Sequence, residues 1–181
     1  MLLSVPTPLR GYPPRLMLPI VPVHERHAVS YRECLDVVAR ERKYLAQVEA
    51  LPPEQVLGFV RANMAGDANQ FFALDGERVV GWADIFPHWA PAVAHRGVLG
   101  MGVHPDYRGL GLGRRLLAAC IDKAWRQGLV RIELEARADN EAALALYTRA
   151  GFRHEALKAR AMRFDGVFFD VVQMRLLKDE A

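Results

Sequence analysis

With 181 residues, 51% of them hydrophobic and 25% charged, the chain is long enough for one domain with a sizeable core and too apolar to be disordered. A net charge of +3, without a run of lysines, argues against a nucleic-acid surface and shifts attention to where the arginines stand. The two cysteines, Cys34 and Cys120, are spaced for neither a disulfide framework nor a zinc site.

Residues 1–15 carry Pro6, Pro8, Pro13 and Pro14 among apolar patches and are expected to form an extended tail ahead of one domain over 16–181. No apolar run there reaches the roughly 20 residues of a membrane span, and the pieces are too short for a signal-peptide core. A cytoplasmic protein without membrane contact is the expectation. A first strand over 16–23 contains Pro19 and Pro22, which confines it to a sheet edge. From 30 to 45 the pattern is helical, with Cys34, Leu35, Val37, Val38, Tyr44 and Leu45 among charged residues. Pro52-Pro53 ends that helix and starts a second, which runs to about Met64. Residues 71–74 and 79–86 read as a hairpin, followed by an irregular loop, Pro87-His88-Trp89-Ala90-Pro91, and a central strand over 96–103.

The chemistry concentrates in 98–127. The strand ends at His104-Pro105-Asp106, glycines follow at 109, 111 and 113, and Leu112, Leu116, Leu117, Cys120, Ile121 and Ala124 then recur at helical spacing. Strand, glycine loop and helix N-terminus together make an anion cradle, because the loop brings backbone N–H groups close and the helix adds a partial positive charge. Arg108, Arg114 and Arg115 bracket it. A dinucleotide loop would want G-x-G-x-x-G, but the third glycine position holds Arg114 or Leu116, depending on where the count starts. A nucleoside-triphosphate loop would want Gly-Lys-Ser or Gly-Lys-Thr where Gly113 is followed by Arg114.

Beyond Gly128 a strand over 130–136 alternates Ile132, Leu134 and Ala136 with Arg131, Glu133 and Glu135. Asn140 then starts a helix over 140–150, with Asn140 and Tyr147 two turns apart on one face. Two long strands about Asp165-Gly166 complete the chain. The order of elements predicts an α+β fold with a mixed sheet.

Arg108-x-x-Gly111-x-Gly113 meets the pattern Arg/Gln-x-x-Gly-x-Gly/Ala. Together with Leu134-Glu135-Ala136-Arg137-Ala138-Asp139-Asn140, the run through Tyr147 and Gly151-Phe152, it resembles the GCN5-related N-acetyltransferases (GNAT), nearest their bacterial amino-acid and ribosomal-protein branch. The resemblance covers about 20–177. It implies a three-layer α+β fold whose mixed, mostly antiparallel sheet is flanked by helices and has splayed central strands. It also implies acetyl-CoA as cosubstrate, no metal, and an acetyl group passed directly to a primary amine.

A primary amine with a pKa near 10 is only about one part in a thousand neutral at pH 7, so a base must take its proton, preorganised donors must meet the carbonyl oxygen, and an acid must protonate the leaving thiolate. On the resemblance, the backbone of Met101, Gly102 and Val103 meets the pantetheine arm and that oxygen. Arg108, Gly109, Leu110, Gly111, Leu112, Gly113 and Arg114 hold the phosphates, Asn140 and Tyr147 also contact the coenzyme, Tyr147 is the acid and Glu135 the base. Glu133, Asp84, His88 and His104 stand in reserve. Each has a plainer reading: Tyr147 as a core aromatic, Asn140 as a helix cap, Glu135 as a solvent-facing carboxylate, His88 as an idle loop residue. The implied partner is a small-molecule or peptide amine, a free amino acid or analogue ahead of a protein N-terminus, a polyamine or an aminoglycoside. No nucleic acid or membrane is expected, and there is room for a homodimer. A non-catalytic acyl-CoA-binding module and a nucleotide-binding protein are the other classes weighed.

Overall fold

The computed structural model describes residues 17–180; the expected tail over 1–15 lies outside them. Strands β1 (Ile20–Pro22), β2 (Gln70–Asp75), β3 (Arg78–Pro87), β4 (Arg96–Val103), β5 (Arg131–Arg137), β6 (Arg153–Phe164) and β7 (Val167–Leu177) form one sheet in the order 1-2-3-4-5-7-6. Four α-helices accompany them among the described residues: α1 (Ala28–Arg40), α2 (Pro53–Ala65), α3 (Leu112–Arg126) and α4 (Glu141–Arg149).

Strand alternation divides the side chains between two cores. Phe72, Leu74, Val79 and Trp82 face α1 and α2, where Tyr31, Leu35, Val38, Val56 and Val60 cover them. Ala73, Ala83, Ile85, Leu99, Ile132 and Leu134 face the other way, onto Leu112, Leu116, Leu117 and Cys120 of α3. The result is helix, sheet, helix. Cys34 and Cys120 are buried free thiols, one in each core.

All neighbouring strands are antiparallel except β4 and β5. That parallel ladder joins Arg96, Gly97 and Val98 to Arg131, Ile132 and Glu133, then stops. Since β4 continues to Val103 and β5 to Arg137, the two strands part in mid-sheet and leave unpaired backbone on either side of an opening.

Two elements differ from expectation. Helix α1 ends at Arg40, short of the helical pattern that runs to Leu45 and of the stop expected at Pro52-Pro53, and Arg42 takes a left-handed φ of 51°. Tertiary partners account for this: Arg42 pairs with Asp165 at the β6–β7 turn, Glu41 with Arg108, and the Asp36 carboxylate accepts the Ala50 N–H at 2.9 Å. Strand β1 keeps only three residues, at the sheet edge, where the ladder does not need the N–H that Pro22 lacks. The β6–β7 turn follows the sequence closely. Asp165 and Gly166 both have positive φ, as a two-residue turn matched to strand twist requires.

Candidate active site

A cleft of about 490 Å³ opens where β4 leaves β5, between the N-terminus of α3 and the length of α4. Of the twelve residues expected to meet a coenzyme, ten line it: Met101, Gly102, Val103, Arg108, Gly109, Gly111, Leu112, Gly113, Arg114 and Asn140. Leu110 points outward, half exposed, and Tyr147 lies beneath the wall.

The floor of the cleft is backbone. His104 donates its N–H to Val80 O on β3 (2.9 Å), so by strand alternation Gly102 and Gly100 also bond toward β3 while Met101 and Val103 turn their N–H groups toward the opening. Gly102 therefore contributes space, and Met101 and Val103 the donors. At the far end Gly111, with φ 81°, caps α3 without a side-chain hydrogen bond. The first N–H groups of α3 remain available to an anion, in a backbone turn that only glycine enters cheaply.

The arginines divide into two kinds. Arg108 is a strut: its Nε donates to Val103 O at 2.9 Å, both terminal nitrogens bond to Glu41, and its plane lies 5.1 Å from the Tyr44 ring centroid. The guanidiniums of Arg114 and Arg149 have no partner among the described residues. Among the described residues they supply the cleft with unpaired positive charge. Arg149 escaped the sequence reading, although Ala142, Ala145, Leu146 and Arg149 share one helical stripe and all line the cleft. Tyr44 also lines it, and no sequence signal marks a residue in an irregular loop.

Asn140 proves to be both cap and wall: its Oδ1 accepts the Ala143 N–H at 3.2 Å, and it lines the cleft. Tyr147 is only 9% exposed and packs beside Phe152, ring centroids 5.9 Å apart. Burial alone pushes its hydroxyl up to about 12, so it keeps its proton through the physiological range.

On the opposite face, toward α1 and α2, β4 has no side chain at 100 or 102, and β3 fills the gap. A Cβ on Gly102 would fall 2.2 Å from the Trp82 ring, and one on Gly100 would fall 2.8 Å from Asp84 Oδ1. The indole and the carboxyl thus lean over β4 toward the opening. Along β5 the same face carries Glu133 and Glu135. Glu135 is half exposed and paired with Lys158 of β6. Glu133 bonds to His88 Nε2 at 2.9 Å and to Arg131 at 3.1 Å; burial pushes its carboxyl up, but those hydrogen bonds together with the charges of Arg96 and Arg131 hold the group low. His88 is thereby tied to β5. His104 caps the following turn by accepting the Asp106 N–H at 3.3 Å.

No group of three or more histidine, cysteine or acidic side chains among the described residues stands ready for a metal, and no helix among them is long and apolar enough to cross a membrane.

The Acetyltransferase (GNAT) family profile matches residues 23–152. The N-alpha-acetyltransferase RimI of Mycobacterium tuberculosis is 42% identical over 103 residues, which is 57% of this chain and 62% of that protein. The match thus spans less than two thirds of the relative. A GNAT-family acetyltransferase from Streptococcus pneumoniae superposes with a TM-score of 0.82 at 26% identity, covering 88% of this chain and 99% of that one. A phosphinothricin acetyltransferase from Sinorhizobium meliloti, solved in complex with AcCoA, shares the fold at 15% identity, with a TM-score of 0.83 over 90% of this chain and 89% of that one.

Proposed function

The chain belongs to the GNAT acetyltransferase family, and from that premise we propose that it moves an acetyl group from acetyl-CoA to the primary amine of a free amino acid, an amino-acid analogue or a peptide N-terminus. The observation that carries this reading is the convergence of ten expected coenzyme contacts on one cleft, with an uncapped helix end and two free arginines beside the break in the sheet. The likeness to an N-alpha-acetyltransferase favours a second, narrower form of the reading, in which the amine is the α-amine of a peptide.

Each part of the chain has a task in this scheme. The α3 N-terminus, Arg114 and Arg149 hold phosphates; Met101 and Val103 N–H groups steady the acyl oxygen as it gains charge. Bound acetyl-CoA supplies the activated acyl carbon. Tyr147, protonated up to about 12 and set just beneath the wall of the cleft, takes the role of proton donor to the leaving sulfur once the coenzyme is seated against it. Glu135 faces the amine from β5, its charge shared with Lys158.

The test is release of CoA thiol from acetyl-CoA with two probes, an N-terminal alanyl peptide and free amino acids. Turnover with either upholds the reading, and turnover with the peptide alone selects the narrower form. Binding of NAD or ATP in place of CoA would sink it.

A further inference from the structure

We propose that Asp84 takes the proton from the acceptor amine, directly or through one water, while Glu135 holds the ammonium; this rests on the acetyl-transfer reading above. Three observations point to it. First, the Asp84 carboxyl reaches across β3 into the space that Gly100 leaves empty on β4, one residue before the Met101 backbone that turns toward the opening. Glu135 stands on β5 two residues past the point where that strand parts from β4, across the opening, with its side chain paired to Lys158 of β6. Asp84 thus borders the bare stretch of β4 directly, and Glu135 lies on the far side of the gap.

Second, the pit around Asp84 is polar and unfinished. Gln70, opposite Asp84 in the β2–β3 register, is fully buried, and its Nε2 meets only the Tyr31 hydroxyl, without forming a well-made hydrogen bond. A buried donor short of an acceptor beside a carboxyl marks a place for a water, which can accept from Gln70 and relay a proton to Asp84.

Third, the two carboxyls differ in kind. Glu135 is exposed and paired with Lys158, which occupies its carboxylate with a cation. Around Asp84 stand Tyr31 of α1, Asn63 of α2 through its 3.0 Å bond to Gln70, the Gly100 amide, Cys120 of α3 across the sheet, and Glu133 with His88 farther along the face. No lysine or arginine contributes to its shift. Burial pushes its carboxyl up to about 7, and the Gly100 amide draws it part-way back. An α-amine titrates at about 7.7–8.0, so the proton passes between near-equals, whereas a lysine side chain at about 10.4 would be poorly matched.

The protons balance. The ammonium gives one to the Asp84 carboxylate, and the freed lone pair forms the N–C bond as the C–S bond breaks, its electron pair going to sulfur. The nitrogen's second proton leaves as the amide forms and matches the one the sulfur takes up. Asp84 then returns its own to solvent.

The experiment follows kcat/KM for the N-terminal alanyl peptide from about pH 5.5 to about pH 9 in wild type, Asp84→Asn and Glu135→Gln, with acetyl-CoA affinity measured by calorimetry. Asp84→Asn should lose about a hundredfold in rate and lose the acid limb near neutrality, with acetyl-CoA affinity unchanged. Glu135→Gln should keep that limb and raise the KM for the peptide. A wild-type rate and limb in Asp84→Asn overturns the proposal, as does loss of the limb in Glu135→Gln alone. Should Asp84→Asn fail to bind acetyl-CoA, Gly100→Ala takes its place. Its methyl displaces the carboxyl, so the peptide rate should fall while coenzyme affinity holds, and an unchanged rate overturns the proposal. A wild type that binds acetyl-CoA but acetylates neither the peptide nor free amino acids removes the parent reading, and this one with it.

Discussion

On the coenzyme side of β4, all the lining residues except Val38 and Tyr44 come from two continuous stretches, 101–114 and 140–149. On the opposite face, which we assign to the acceptor, Trp82, Asp84, Gly100, Gly102, Gln70 and Glu135 come from four strands spread over 66 positions of the chain (70 to 135). The coenzyme side works through backbone: turned N–H groups, a helix end, a left-handed glycine. Such devices are made by neighbours in sequence and leave a regular pattern. The acceptor side works through side chains that meet only when strands pair, so its pattern is scattered. If this division is real, substitutions should hurt one side without the other.

The largest expected effect concerns the acceptor side and stability. The Asp84 carboxyl sits near 3.9 in an unfolded chain and is pushed up to about 7 by burial in the fold. Below about pH 4 it is protonated in both states, and its full contribution to stability is present. As pH rises toward 7 the unfolded state ionises first and that contribution is lost, by up to about 4 kcal/mol. Urea unfolding at about pH 4 and about pH 8 should show this fall in wild type, and a smaller one in Asp84→Asn. Equal falls in both proteins would mean that the carboxyl is not desolvated.

Next comes Tyr147→Phe. The ring stays packed against Phe152, but the proton for the leaving sulfur is gone, so kcat should drop by up to about a hundredfold with the KM for acetyl-CoA nearly unchanged. An acyl donor with a more acidic thiol should recover much of the loss. An unchanged kcat, with chemistry limiting, would return Tyr147 to the core as an aromatic and nothing more.

Gly111→Val should act on the coenzyme side alone. A β-branched residue at φ 81° carries about 1–3 kcal/mol of strain, and relief by rebuilding the turn would scatter the α3 N–H groups. Acetyl-CoA affinity should fall about tenfold, while the pH limb assigned to Asp84 stays where it is. A shifted limb would show that the two sides are coupled.

The smallest effect separates the arginines. Arg114→Ala removes a free, exposed cation and should weaken acetyl-CoA by about fivefold, less at high salt. Arg108→Ala should act through Glu41 and Tyr44 instead, loosening the loop after α1, with little dependence on salt. Identical salt dependence in the two variants would mean that Arg108 also meets phosphate.

The sequence by itself determined a good deal. Helical and strand periodicity located β4 at 96–103 and both strands of the two hairpins, because those segments bury one face against a continuous core. The glycine spacing at 109, 111 and 113 located the turn that leads into α3, and Asn140 and Gly151 marked the bounds of α4, because caps and left-handed turns are properties of a few adjacent residues.

Tertiary structure decided the rest. Nothing near Arg40 announces that α1 must end there; the end is set by Arg108 and Asp165, 67 and 123 residues from their partners. Arg108 matches a coenzyme motif and yet is taken up by Glu41. Asp84 was one acidic residue among 21 until strand pairing laid it over a glycine, and its burial is created by α1, α2 and β4 together. The physical reason is the same in each case: a backbone conformation is chosen by its own residue and its neighbours, whereas a side chain's charge state and partners depend on what the rest of the chain brings within a few ångströms.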